Sequence, residues 1–433
     1  MLSIVSVCKG IHDSSVANWK ASLNLTYNGI LQHIFVVESD QDPAYSQLHS
    51  LCESHQNARL VIAGLSFHNA QKIHNQLCGV AECSPRSEFV LFVDDDIKVH
   101  QGVLEELVAS FDDPKVLAAT GYCFELPTQF SEFWGLPLMI YRLLNLGSFS
   151  GQRPKFMWGG FMMFNLDTFR LNLYNIVDVW RNGGYSDDMA TVAITEQYGR
   201  TIASCSSAIF PNVLSKRISF ANYFDFISRQ LFVCLTYSSL KNRLQNLCLL
   251  VLNPLSFIGF GLPVVLSMCF GVYYLLALAL PSIPLIEVPL SFTISCIFLS
   301  ISLVVITSIL ISLVKTLSNG VSGAAENNED LNYKLPFFAT MMALIVHLKI
   351  AAFASIYVSF KKTIKWAGVI YKRRKGRIVE VKRPGYNVSA NESLKQTLIN
   401  DSRKGLVVGG RYPKCIRSNV DSSAGIGRFE WEE

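Results

Sequence analysis

Two uncharged stretches constrain this chain most. Residues 247–280 and 290–317 contain no Asp, Glu, Lys or Arg except Lys315. Each exceeds the ~20 apolar residues that a helix needs to cross a bilayer. A third stretch, 335–360, is also apolar but carries His347 and Lys349 in its middle. It is followed by "KKTIKWAGVIYKRRKGR" (361–377), which reads as a basic stop. Basic residues favour the cytoplasmic side, and both 214–243 and 361–377 are basic. The number of crossings is therefore expected to be even. Either the first segment, interrupted by Asn253-Pro254 and Pro263, or the third then lies in the interface or re-enters.

Half of the 433 residues are hydrophobic and the mean hydropathy is +0.30. That is too apolar for a soluble enzyme, yet the first half is too polar for a polytopic transporter. A domain of about 200–250 residues plus a membrane part fits. The expected division is 1–243, a cytosolic domain; 244–360, membrane helices; and 361–433, a basic juxtamembrane segment and tail. From about 384 the tail is rich in Asn, Ser, Gly and charge and reads as poorly ordered. A cytosolic tail leaves the sequons at Asn387 and Asn391 unused. The net charge of +5 sits largely in one late run and does not imply nucleic acid. The eleven cysteines show no CxxC or zinc spacing and read as reduced thiols facing the cytosol. The initial "MLSIVSVCKG" has too short an apolar run for a signal peptide, with Lys9 after that run, and reads as a strand.

Residues 1–125 alternate apolar, strand-like runs with helical patterns. The runs are 2–7, 33–39, 59–63 and 89–96; the helical patterns lie near 16–27, 43–55, 69–79 and 101–110. Continuous apolar strands separated by helices predict a parallel sheet covered on both faces, an α/β class. Such sheets bind ligands at the carboxyl ends of their strands. Glu38-Ser39-Asp40 ends the second run and Asp94-Asp95-Asp96 the fourth, so both acid clusters belong to one edge.

Each acid cluster has two readings. Asp94 and Asp96, two apart on a strand, project to one side and suit Mg2+ or Mn2+ bridged to phosphate oxygens; an acid run at a strand end is also often a solvated turn. In "GGYSDDM", Asp187 and Asp188 open a helical pattern, as a helix-start pair or with one as a general base. Lys72 either reaches a phosphate or lies on an exposed helix face. Arg229 either holds departing phosphates or contacts headgroups. Phe133, Trp134, Phe156 and Trp158 either line an acceptor route or pack a core. The histidines show no metal-ligand spacing.

The stretches "VCKGIHDSSVANWKASL", "FVVESDQDPAY", "NAQKIHNQL", "FVDDDIKVH", "WGGFMMF", "GGYSDDM" and "IKWAGVIYKRRKGRI" stand in the order found in ceramide glucosyltransferases (family 21), which the chain resembles over about 1–380. Those resemble the wider group of inverting, GT-A-fold glycosyltransferases. The resemblance implies a GT-A-like nucleotide-sugar-binding domain with a mainly parallel sheet, followed by C-terminal transmembrane and interfacial helices. It implies that Glu38 and Asp40 meet the nucleoside, with Ser39 standing where the family has an aspartate. Lys72 would lie near the uracil and diphosphate, and Asp94 and Asp96 would hold the metal, Mg2+ or Mn2+, and the diphosphate. Asp188 would be the catalytic base. Arg229 matches the arginine of the (Q/R)xxRW signature, although Phe226 and Gln230 depart from it, which disfavours a processive polymer synthase. Family members usually begin with a membrane anchor, whereas this sequence starts at the first strand, as a shortened form would.

The implied partners are UDP-glucose, ceramide and the bilayer, with no nucleic acid. The implied location is the Golgi or endoplasmic reticulum, multi-pass, with the catalytic domain facing the cytosol. Transfer to a polyprenyl phosphate or polysaccharide, and a non-catalytic scaffold of the same fold, are the alternatives.

Overall fold

Runs of Val, Ile, Leu and Phe form four parallel strands: β1 (Leu2–Val7), β2 (Leu31–Val37), β3 (Ala58–Ile62) and β4 (Phe89–Asp94). Helices α1 (Ser15–Leu23), α2 (Ala44–Glu53) and α3 (Gln71–Ala81) connect them, and α4 (Val103–Ala109) follows. This computed structural model describes residues 1–384 apart from 129–130, 215, 281 and 323–333. The expected tail, with Asn387, Asn391 and Cys415, lies outside the described residues.

The domain continues through β5 (Val116–Pro127), α5 (Glu132–Phe149), β6 (Phe161–Asn165), α6 (Asp167–Arg170), α7 (Ile176–Arg181), α8 (Asp187–Gln197), β7 (Thr201–Leu214) and α9 (Phe220–Val233). The seven strands run in the order β3-β2-β1-β4-β6-β5-β7. Only β6 opposes its neighbours; β5 and β7 pair in parallel. The sheet is thus mainly parallel, as expected. Apolar side chains cover both faces: Val5, Val36, Phe92 and Trp180 on one, Ile4, Leu91, Phe161 and Phe210 on the other. Phe92 meets Phe169 at 5.5 Å and Trp180 at 5.8 Å between ring centroids. Burying each such ring contributes roughly 1.5–3 kcal/mol.

Register fixes the functional edge. Val7 pairs with Val36 on one side and Asp94 on the other. Lys9, Glu38 and Asp94 therefore emerge together at the carboxyl ends of the strands. Strand β4 stops at Asp94, and Asp95 and Asp96 lie in a turn. The strand alternation expected to aim Asp94 and Asp96 the same way does not extend to Asp96, because the chain turns there.

After α9 come α10 (Leu240–Ser256), a π-helical turn at Phe257–Gly261, α11 (Leu262–Ala279), α12 (Leu290–Ser322) and α13 (Phe337–Ser359). Leu240–Ala279, Leu290–Asn319 and Phe337–Ser359 are long and apolar enough to cross a membrane. Pro254 and Pro263 do not break the first of these. The π turn lies between the two prolines, a common companion of such interruptions in a helix. Helix α13 packs on α5, α9 and α10, and its His347 is buried against Tyr223, with 2.7 Å between Nδ1 and the hydroxyl. Residues read as a basic stop fold instead into an antiparallel sheet of β8 (Thr363–Trp366), β9 (Val369–Arg374) and β10 (Arg377–Lys382). Alternation explains it: Ile364, Val369, Tyr371 and Ile378 point inward while Lys365, Lys372, Arg374, Lys375 and Arg377 between them are exposed.

Candidate active site

The first acid cluster begins where β4 ends. The Asp94 amide donates to the Gly160 carbonyl (2.9 Å). Its carboxylate Oδ1 lies 2.8 Å from the Lys72 ammonium, which α3 projects from below the edge. The second cluster opens α8. There the Ser186 side chain caps the helix by accepting from the Met189 amide at 3.3 Å. Asp187 Oδ2 lies 3.3 Å from the same Lys72 and accepts from Gln76 Nε2 at 2.7 Å. Lys72 also donates to the Gly159 carbonyl at 2.8 Å. One cation therefore joins the two acid clusters.

Asp188 is held separately. Its Oδ2 accepts from the Gly159 amide at 3.1 Å; its Oδ1 accepts from the Met189 amide at 2.6 Å and from the Ser186 hydroxyl. Gly159 belongs at this crossing because a Cβ there would stand 2.7 Å from Asp187 Oδ1. Burial, then the charge of Asp187, raises the Asp188 carboxyl above its usual range. Asp188 is half-buried, while Asp187 is buried. Asp188, whose basicity is increased, thus keeps partial exposure.

Burial raises Asp94 to about 6 although Lys72 opposes it, and Asp96 adds to the rise. Burial and Asp96 push Asp95 up to about 8, against the Lys9 amide that bonds its Oδ2 at 3.0 Å. Burial alone would lower the pKa of Lys72; Asp187 and Asp94 outweigh it and hold the amine above its ordinary value. Asp96 is exposed and makes no ion pair among the described residues. Asp94 and Asp96 supply hard oxygen donors, Asp94 paired with Lys72 and Asp96 without an ion pair among the described residues. They fit Mg2+ or Mn2+, which take few protein carboxylates and complete their shell with water and phosphate oxygens. Among the described residues no group of three His, Cys, Asp or Glu side chains stands together as a metal cage.

Glu38 follows β2 and forms ion pairs with Lys9 and, at 3.5 Å, with Arg383. Asp40 is exposed and stands apart from this cluster. Its neighbour Asp42 is the one drawn in: Oδ1 accepts from the Gly10 amide (2.8 Å) and the Ala44 amide (3.0 Å), and Oδ2 lies 3.4 Å from Lys9. Arg229, on α9, makes no ion pair or hydrogen bond among the described residues; its guanidinium lies 5.9 Å from the Phe226 ring. Burial lowers its pKa and Tyr185, one residue before the capping Ser186, counters this. The aromatic candidates divide. Trp134 stacks on Tyr223 at 5.9 Å, against α9. Trp158 stands edge-on to Tyr122 at 6.1 Å, next to Gly159.

Sequence reasoning missed Lys9, Asp42, Gln76, Ser186 and Arg383. The rule that ligands gather at strand ends could have found Lys9, two residues past β1. No local signal points to Gln76 or Arg383, whose partners lie 111 and 345 residues away.

Residues 1–130 match the family model described as Glycosyl transferase family 21. Among solved structures, a mannosyltransferase of Pyrobaculum calidifontis in complex with GDP-Man and Mn2+ is similar at 13% identity and a TM-score of 0.41, covering 82% of this chain and 87% of that one. GalNAc-T7 with UDP, GalNAc and Mn2+ is similar at 10% identity and a TM-score of 0.38, covering 53% and 48%. No curated protein matches the sequence. The family match supports glycosyl transfer as the general chemistry, and the apolar helices support a membrane protein.

Proposed function

We propose that this protein transfers glucose from UDP-glucose to the primary hydroxyl of ceramide, with inversion. One observation carries the reading: Asp94, Asp187 and Asp188 converge about Lys72 and Gly159 at the ligand-binding edge of the sheet. The ordered motifs that resemble ceramide glucosyltransferases support the choice of donor and acceptor.

Asp94 and Asp96 would hold Mg2+ or Mn2+, which when bound would supply positive charge for a departing diphosphate. Asp188 takes the proton from the acceptor hydroxyl, its carboxylate fixed by Ser186 and two backbone amides. The acceptor oxygen bonds to the anomeric carbon as the bond to the diphosphate breaks on the opposite face, giving a β-glucoside. Lys72 keeps the neighbouring acids from repelling the donor, Arg229 offers an unpaired guanidinium to the phosphates, and Glu38 accepts from the nucleoside, with Asp40 at the rim. Exposing a ceramide chain to water costs about 0.8 kcal/mol per CH2. The reaction therefore belongs at headgroup level, next to α5, α9 and α13. The catalytic domain faces the cytosol, from a Golgi or endoplasmic reticulum membrane.

The test is incubation of membranes carrying the protein with labelled UDP-glucose and Mn2+, with and without ceramide. Label should enter a glucosylated lipid only when ceramide is added. Asp188→Asn should lower turnover at least about hundredfold. In the active protein the rate should fall on the acid side above the ordinary carboxylate value of about 4, because burial and the charge of Asp187 raise the pKa of Asp188. Label in a polyprenyl phosphate or polymer instead, or full activity of Asp188→Asn, would replace this reading.

A further inference from the structure

The sheet β8–β10 lies along the donor edge of the catalytic domain. The Ile378 amide donates to the Gly183 carbonyl (2.9 Å), at the start of the loop that carries Asp187 and Asp188. The Gln71 amide, one residue before Lys72, donates to the Tyr371 hydroxyl (3.2 Å). Tyr185 packs edge-on to Tyr371 and Trp366, at 5.5 and 6.1 Å. A segment that follows the last apolar helix therefore braces both acid-bearing and lysine-bearing elements.

Directly after β10, Arg383 turns inward. Its side chain is 10% exposed. Its terminal nitrogens reach Glu38 Oε2 and the Ser66 carbonyl, each at 3.5 Å, and Gln71 Oε1. These partners follow β2, follow β3 and begin α3, so they mark the ligand edge from three elements. The contacts to Glu38 and Ser66 are long beside the 2.7–2.9 Å of a good charge-assisted bond. The Arg383 Nε–H is buried with no acceptor. A buried arginine with a vacant donor at a ligand edge is poised for oxygens that the protein itself does not supply.

We propose that Arg383 is a donor-binding residue: it donates to oxygens of the nucleoside diphosphate, so the nucleotide site is completed by chain from beyond the membrane helices. This rests on the nucleotide-sugar reading above.

The experiment is titration of the full-length protein in detergent with UDP in the presence of MnCl2, alongside steady-state KM and kcat. Arg383→Ala should weaken UDP binding and raise the KM for UDP-glucose by roughly tenfold or more, with kcat little changed. Lys382→Ala removes the same charge from an exposed neighbour and should match the parent protein. Arg383→Lys keeps the charge but loses the fork. It should fall between the two, and it carries the test if the alanine variant fails to fold. If the arginine only fastens the sheet, the variants lose melting temperature without ligand and keep their UDP affinity, and the inference is overturned. A parent protein that binds no UDP overturns the nucleotide-sugar reading and this inference with it. A parent that binds UDP tightly while Arg383→Ala binds equally overturns this inference alone.

Discussion

Lys72 shows how much one side chain organises here. Its ammonium touches carboxylates from two elements and a backbone carbonyl from a third. Without it Asp94 and Asp187 would lose the cation that pairs with both of them. Another buried residue sets a pH limit on the fold. His33, in the centre of β2, is 1% exposed and neither ring nitrogen has a hydrogen-bond partner. Burial, with a smaller effect of His55, lowers its pKa from 6.5 to about 4. The folded state holds the neutral ring while the unfolded chain can protonate it. Stability contributed by neutral His33 is thus present above pH 6.5 and is lost as pH falls toward about 4, by about 3 kcal/mol in total. Thermal melting between about pH 7 and about pH 4 should show this slope, and His33→Leu should flatten it. An unchanged slope in the variant would assign the loss to other groups.

At the scale of elements, the sheet β8–β10 and the acid loop meet at a glycine. Gly183 has φ +81°, a conformation that L side chains adopt at a cost. A Cβ there would stand 2.7 Å from the Ile378 carbonyl oxygen. Gly183→Ala therefore combines backbone strain of order 1–3 kcal/mol with a clash against β10. The expected result is faster trypsin cleavage within "YKRRKGR", because the sheet lifts from its support, together with a higher KM for the proposed donor, UDP-glucose. Protection equal to the parent protein would mean that the sheet is held by its aromatic packing alone. Helix α13 makes the complementary point about the membrane part. Its His347, a polar interruption in the sequence, is the hydrogen-bonding partner of Tyr223 on α9, and so ties the last apolar helix to the catalytic domain.

For the whole molecule, chain from before the first apolar helix and chain from after the last pack against each other, at Gly183 with Ile378 and Glu38 with Arg383. Both must lie on one side of a membrane, so three full crossings are incompatible with this fold. Either the first apolar segment or helix α13, which packs on α5, α9 and α10, then does not cross fully. In sealed vesicles an epitope tag ahead of Met1 and one inserted at the Lys375-Gly376 turn should be reached by antibody from the same face. Exposure on opposite faces would contradict the packing.

The sequence alone was sufficient for whatever depends on near neighbours. The apolar runs of β1–β4 marked a parallel sheet, because strands buried on both faces need continuous apolar residues. The same runs placed Glu38 and Asp94 at one edge, and the uncharged stretches announced the membrane helices. Tertiary structure decided whatever depends on distant pairs. It ended β4 at Asp94 and put Asp96 in a turn, drew in Asp42 in place of Asp40, set Lys72 between Asp94 and Asp187, and folded a basic run into a sheet that carries Arg383 to Glu38. Periodicity records which side of an element is buried; it carries no record of which charge, hundreds of residues away, will be brought within 4 Å to neutralise it.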